Sequence, residues 1–194
     1  MTPIPKNHPF QDVSRLLQMR SEIREKKIGQ FETSAVTAFL AWRAFLIVAR
    51  KATGGHEKDF CAKKIKDMLV QHNELKEVTE RFVNSLKQFP QQTEEVIKEW
   101  YFQPDDVPLI MREIKSMNET CIKPEGWKTI SWQLTQHLFA IRNCVLAHGT
   151  MHSTGNLFQS IMPAFDNFVA SIACAGYATQ FKIPFSQAKK DCHA

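Results

Sequence analysis

The chain has 194 residues, which fits one domain of ordinary size with a substantial core, and its 43% hydrophobic and 23% charged residues exclude a disordered class. A formal net charge of +5 and an isoelectric point near 9.0 suit an anionic partner without requiring one. No charge-free apolar run of about eighteen residues occurs, so no membrane span is expected, and the opening MTPIPKNHPF lacks the charged-then-apolar layout of a signal peptide, so a cytoplasmic location is expected.

Residues 1–9 carry three prolines and are predicted to be extended. From Phe10 the pattern becomes helical, with Val13, Leu16, Leu17 and Ile23 on one face and Arg15, Arg20, Arg24, Lys26 and Lys27 around it. That basic run reads as a solvated helix face or a nucleic-acid surface. Gly29 separates it from Phe31 to Ala52, where apolar residues fill most positions and predict a helix buried on more than one side. Arg43 interrupts that run; it must reach the surface or meet a carboxylate or a bound phosphate.

Thr53-Gly54-Gly55 predicts a turn. Cys61, Ile65, Met68, His72, Leu75, Thr79, Phe82 and Leu86 then alternate steps of four and three, the spacing of a helix packed against near-parallel neighbours. His72 sits on this seam as a core histidine. Lys63, Lys64 and Lys66 read as lying at the start of the helix, where their charge opposes the helix dipole and points to a role in binding RNA. Phe89-Pro90 ends the pattern, and residues 91–123, punctuated by Pro104 and Pro108, are expected to form a helical insertion. Its three adjacent aromatics Trp100, Tyr101 and Phe102 cannot all face one core, which leaves Trp100 as a candidate for base stacking.

Trp127 to Thr150 reads as a long amphipathic helix with Leu134, Leu138, Ile141 and Val145 on one stripe, His148 next in register and Gly149 as its stop. Met151 to Gly155 is a connection. Leu157 to Tyr177 is the last core helix, with Leu157, Ile161, Phe165, Phe168, Ile172 and Gly176 in register, small residues at Ala170, Ala173 and Ala175 for close approach, and a kink or break expected at Pro163. Residues 181–194 read as a tail. The five cysteines, Cys61, Cys121, Cys144, Cys174 and Cys192, are odd in number and scattered, so reduced buried thiols are expected. These elements predict an all-α protein: a single domain over 1–194, an antiparallel bundle of four to five main helices with one short helical insertion.

The chemistry concentrates at the end of the long helix, in Arg142-Asn143-Cys144-Val145-Leu146-Ala147-His148-Gly149. Cleavage of an RNA phosphodiester by its neighbouring 2′-hydroxyl needs a proton moved and negative charge stabilised on phosphate. A histidine titrating near neutrality moves the proton, and an arginine holds the phosphate through its forked donors. Asn143 adds a donor and acceptor to orient either group. On a regular helix Arg142 and His148 stand roughly 9 Å apart along the axis and about 120° apart around it, so one chain presents two separated parts of a site.

Arg142-Asn143 followed after four residues by His148-Gly149 resembles the Arg-Asn-x(n)-His signature of the HEPN superfamily, the higher eukaryotes and prokaryotes nucleotide-binding domain. The resemblance implies a small helical endoribonuclease that needs no metal or other cofactor. It also implies a homodimer whose two signatures share one cleft, with Arg142, Asn143 and His148 as catalytic residues and a toxin or defence role. An antitoxin or nucleotidyltransferase partner is the corresponding expectation, although Thr150 stands where some toxins of that kind carry a modified tyrosine. RNA contacts are expected from Lys63, Lys64, Lys66, Arg43 and Trp100. Two other readings stay open: a non-catalytic HEPN-like nucleotide-binding or protein-interaction module, and a metal site formed by Cys144, His148 and His152, against which Gly149 argues by ending the helix.

Overall fold

The structure is a computed structural model that describes residues 10–26, 30–50, 56–87, 127–142 and 155–192. Seven helices run through them: α1 (Gln11–Glu25), α2 (Gln30–Ala49), α3 (Glu57–Gln71), α4 (Leu75–Lys87), α5 (Trp127–Arg142), α6 (Gly155–Phe181) and α7 (Phe185–Cys192), and no strand occurs among the described residues. The protein is an all-α helical bundle, as the periodicity predicts. No described helix is long and apolar enough to cross a membrane.

The centre of the bundle is α6, which packs on α1, α2, α3, α4 and α7. Its predicted register holds: Ile161, Phe165, Phe168 and Ile172 are buried, as are Ala170, Ala173 and Ala175. Their rings join those of α2 and α4 in one layer. Phe168 stacks on Phe82 at 4.9 Å, and Phe165 lies between Phe82 at 6.4 Å and Trp42 at 6.2 Å. Gly176 is the point of closest approach to α2, since a Cβ there would fall on the Val48 side chain. Pro163 lies inside α6 without breaking it; the helix runs on from Gly155 to Phe181, with Pro163 on the exposed side where a missing N–H costs least.

The structure departs from the sequence pattern in four places. The seam from Cys61 to Leu86 spans two helices rather than one, because His72 takes an extended conformation (φ −127°, ψ 94°) and α4 restarts at Leu75, whose N–H bonds the His72 carbonyl. Lys63, Lys64 and Lys66 lie in the middle of α3; its first turn holds Glu57 and Asp59, which complement the dipole, so the electrostatic argument drawn from those lysines fails. Residues 185–192 are a helix and not a tail, with Phe185, Ala188 and Cys192 buried. Ser14 and Gln18 of α1 donate to the Asp191 carbonyl at 3.2 and 2.9 Å, satisfying an acceptor at the end of α7.

Arg20 is the fourth departure. It is buried instead of solvated, donating to both carboxylate oxygens of Asp166 at 2.6 and 2.9 Å and to Asn167 Oδ1 at 2.9 Å. The pair ties α1 to α6, and Arg24 joins it through Asn167 Oδ1 at 3.0 Å. His72 has the partner expected of it but is not in the core: half-buried where α3 ends, its Nε2 lies 2.9 Å from Thr179 Oγ1 and its ring tilts on Phe185.

Candidate functional site

Arg142 ends α5, on a helix whose other described side chains are buried except for Trp132 and the half-buried Gln136. Leu134, Leu138 and Ile141 form the expected stripe, and Ile130, Ser131, Gln133, Thr135, His137 and Phe139 are buried as well. α5 packs on α3, and Phe139 reaches Trp42 of α2, edge to face at 5.2 Å. These two rings make the shelf on which the arginine lies. The guanidinium carbon is 5.1 Å from the Phe139 centroid and 5.8 Å from that of Trp42. Such contacts contribute roughly 0.5–2 kcal/mol each and fix the plane of the guanidinium.

The same arginine is left incompletely bonded. Its Nε is buried, and among the described residues it has no hydrogen-bond partner and no carboxylate pairs with the guanidinium. A buried donor without an acceptor costs about 1–3 kcal/mol. An anion bound at this edge would remove that cost.

A second cation stands over the Phe139 ring, and a third follows the end of α2. Lys58, in the first turn of α3, lies 5.7 Å from the Phe139 centroid and donates to Gln136 Oε1 at 2.9 Å. Arg50 follows the last residue of α2, its N–H still bonding the Leu46 carbonyl in the helical pattern. The Cys61 thiol of α3 is buried. Burial pushes that thiol up to about 12, the Glu57 carboxylate adds to the rise, and the Arg142 and Arg50 cations oppose it. It is therefore a neutral core group. Arg142 and Lys58 place two cations at the shelf, with the Glu57 and Asp59 carboxylates of the first turn of α3 beside Lys58 in the chain; the guanidinium suits a phosphate.

The predicted site residues divide as follows. Arg142 is held in place as described; Asn143, His148 and Trp100 lie outside the described residues, as do the whole insertion 91–123, Cys144 and His152. Arg43 is exposed on α2, the first of the outcomes its sequence setting permits. Lys63 and Lys66 leave α3 about 160° and 140° around the axis from Cys61, so they face away from the Arg142 cluster; Lys64 is half-buried. Sequence reasoning missed Arg50, Lys58 and the Trp42–Phe139 shelf. The one available signal was that Trp42 adjoins Arg43 in a largely apolar run.

An open groove of about 500 Å³ lies elsewhere, between α4, α6 and α7, floored by Leu75, Val78, Ala164 and Phe185. Its rim charges Glu77 and Arg81 pair with one another. Among the described residues no three His, Cys, Asp or Glu side chains are grouped to hold a metal ion. No family model, curated protein or solved structure matches the chain.

Proposed function

We propose that the protein is a metal-independent endoribonuclease of HEPN type, in which Arg142 stabilises the phosphate and His148 transfers a proton. The observation that carries this reading is the Arg142 guanidinium, oriented by Trp42 and Phe139 and left with a buried, unaccepted Nε donor. In the reaction the ribose 2′-hydroxyl loses its proton and attacks the adjacent phosphorus, the P–O5′ bond breaks, and the 5′-oxygen takes up a proton. The products carry a 2′,3′-cyclic phosphate and a 5′-hydroxyl. Arg142 acts on the charge that builds on the non-bridging oxygens, where a preoriented donor contributes most.

Cleavage of a labelled RNA in excess chelator tests the reading, with product ends identified by mass. Activity should persist, and His148→Ala should lose about a hundredfold or more in rate, the scale of a positioned acid or base. Arg142→Ala should lose a comparable factor, while both variants keep the helical circular-dichroism signal of the wild type. If the folded wild type cleaves no RNA, a non-catalytic HEPN-like binding module becomes the better description. Activity that chelator abolishes and zinc restores would instead direct attention to Cys144, His148 and His152.

A further inference from the structure

Building on the ribonuclease reading, we infer that the exposed face of α2 is a track for single-stranded RNA leading to Arg142, with Phe39 stacking a base and Arg43 and Arg50 holding phosphates. Val36, Phe39, Arg43, Ile47 and Arg50 follow one another at steps of three and four, and so form one stripe on the helix. The stripe is open: Val36 is 46% exposed and Phe39 47%, Arg43 and Arg50 are exposed, and Ile47 is half-buried. Neither arginine forms an ion pair among the described residues.

The stripe is continuous with the candidate site. Trp42, on which Arg142 rests, leaves α2 about 100° around the axis from Arg43, so the shelf borders the stripe. At its far end Arg50 directly follows α2, which touches α3, the helix on which α5 packs. Along the axis Phe39 precedes Arg43 by about 6 Å and Arg43 precedes Arg50 by about 10 Å. A strand lying along this face meets an aromatic surface and two guanidinium groups, with Arg142 to one side of it at the level of Trp42, beside Arg43.

The chemistry selects a single strand over a duplex. An unpaired base offers its face to a half-exposed ring, whereas a duplex keeps its bases stacked inside and presents only phosphates. A second copy of the chain fits this face less well: antiparallel packing of the stripe on itself, centred on Arg43, would bring two guanidinium groups together.

The test is binding of a fluorescent 2′-O-methyl RNA of about twelve nucleotides, which lacks the attacking hydroxyl, compared with the same sequence as a duplex over a range of salt. The wild type should bind the single strand more tightly. Arg43→Ala with Arg50→Ala should weaken binding about tenfold and reduce the log–log salt slope by about 1.4, the value for two phosphate contacts on a single strand. Phe39→Ala should weaken binding about five- to tenfold and leave the salt slope unchanged. Equal affinity for the duplex, or unchanged affinity in both variants, would overturn the inference. So would Phe39→Ala that dissociates an oligomer without altering RNA affinity, since the face would then be an interface between copies. The two readings fail separately: a wild type that binds through Phe39 and the arginines yet cleaves nothing loses the ribonuclease and keeps the track, whereas one that cleaves while all three substitutions are silent keeps the ribonuclease and loses the track.

Discussion

At the scale of single residues the fold places ionisable groups in settings that their neighbours in sequence do not announce. His137 is buried on α5 with Nδ1 2.7 Å from the Gln133 carbonyl, so Nδ1 carries the proton and Nε2 remains a buried acceptor without a hydrogen-bond partner among the described residues. Burial holds its pKa below the ordinary histidine value, with the Gln133 hydrogen bond partly opposing. The unfolded chain therefore binds a proton near pH 6.5 that the folded chain refuses, and stability falls as the pH drops below that value. His72 shifts in the same direction, again through burial and with Glu74 opposing. The thermal midpoint should therefore decline between about pH 7.5 and about pH 5.5, by at most about 1.4 kcal/mol of stability per pH unit from the buried His137 and by less from the half-exposed His72, and His137→Gln should flatten that decline. An unchanged profile in the variant would assign the acid sensitivity to other groups. Arg20 shows why such settings escape a sequence reading: it continues the buried Val13 and Leu17 stripe, yet the carboxylate that makes this tolerable stands 146 residues away. Its place on that stripe sets it apart from the solvated Arg15, but nothing local supplies its partner.

At the scale of elements, helix existence and core faces were legible because a period near 3.6 is a local property of the chain. The stripes in α5 and α6 are buried as their spacing predicts. Boundaries were less legible. The three-and-four pattern continues through His72 because α3 and α4 both turn the same seam inward, so a break between them leaves no mark on apolar spacing. The α7 helix is too short and too polar to stand out, and its place depends on docking against α1 and α6. Of the candidate site, the arginine was legible from its signature, but the shelf beneath it was not, since Trp42 and Phe139 are brought together only by the bundle. The junction from α6 to α7 makes a testable point about boundaries. Lys182 adopts φ 53°, with its N–H toward the Thr179 carbonyl at 3.4 Å and the Ile183 N–H bonding the Ala178 carbonyl at 3.1 Å, the helix ending that glycine usually occupies. Lys182→Gly should stabilise the fold by about 1 kcal/mol by relieving the left-handed strain, raising the thermal midpoint by about 2–4 °C. Gly176→Ala should move it the other way, by about 1–3 kcal/mol, because the added methyl collides with Val48. Calorimetry that ranks the three proteins in any other order would show that one of these backbone readings is mistaken.

At the scale of the whole molecule the proposed chemistry demands more than one chain supplies. Continued as a regular helix, α5 would set Arg142 and His148 roughly 9 Å apart and about 120° around the axis from one another, so they would not face a common phosphate. A two-fold pairing of copies answers this, because Arg142 of one subunit and His148 of the other can then border each of two equivalent sites. Light scattering should accordingly report a dimer at tens of micromolar, and a clean monomer would rule out the composite site. Mixing two inactive variants makes a sharper test. In a dimer of one Arg142→Ala subunit with one His148→Ala subunit, one site loses both groups and the other keeps both. Random exchange at equal concentrations makes half the dimers mixed, so about a quarter of wild-type activity should return if the site is shared between subunits. If each site draws both groups from the same chain, mixing restores nothing. Recovery that appears only after subunits are allowed to exchange, and that disappears when the two variants are crosslinked as homodimers beforehand, would locate the reaction between the chains.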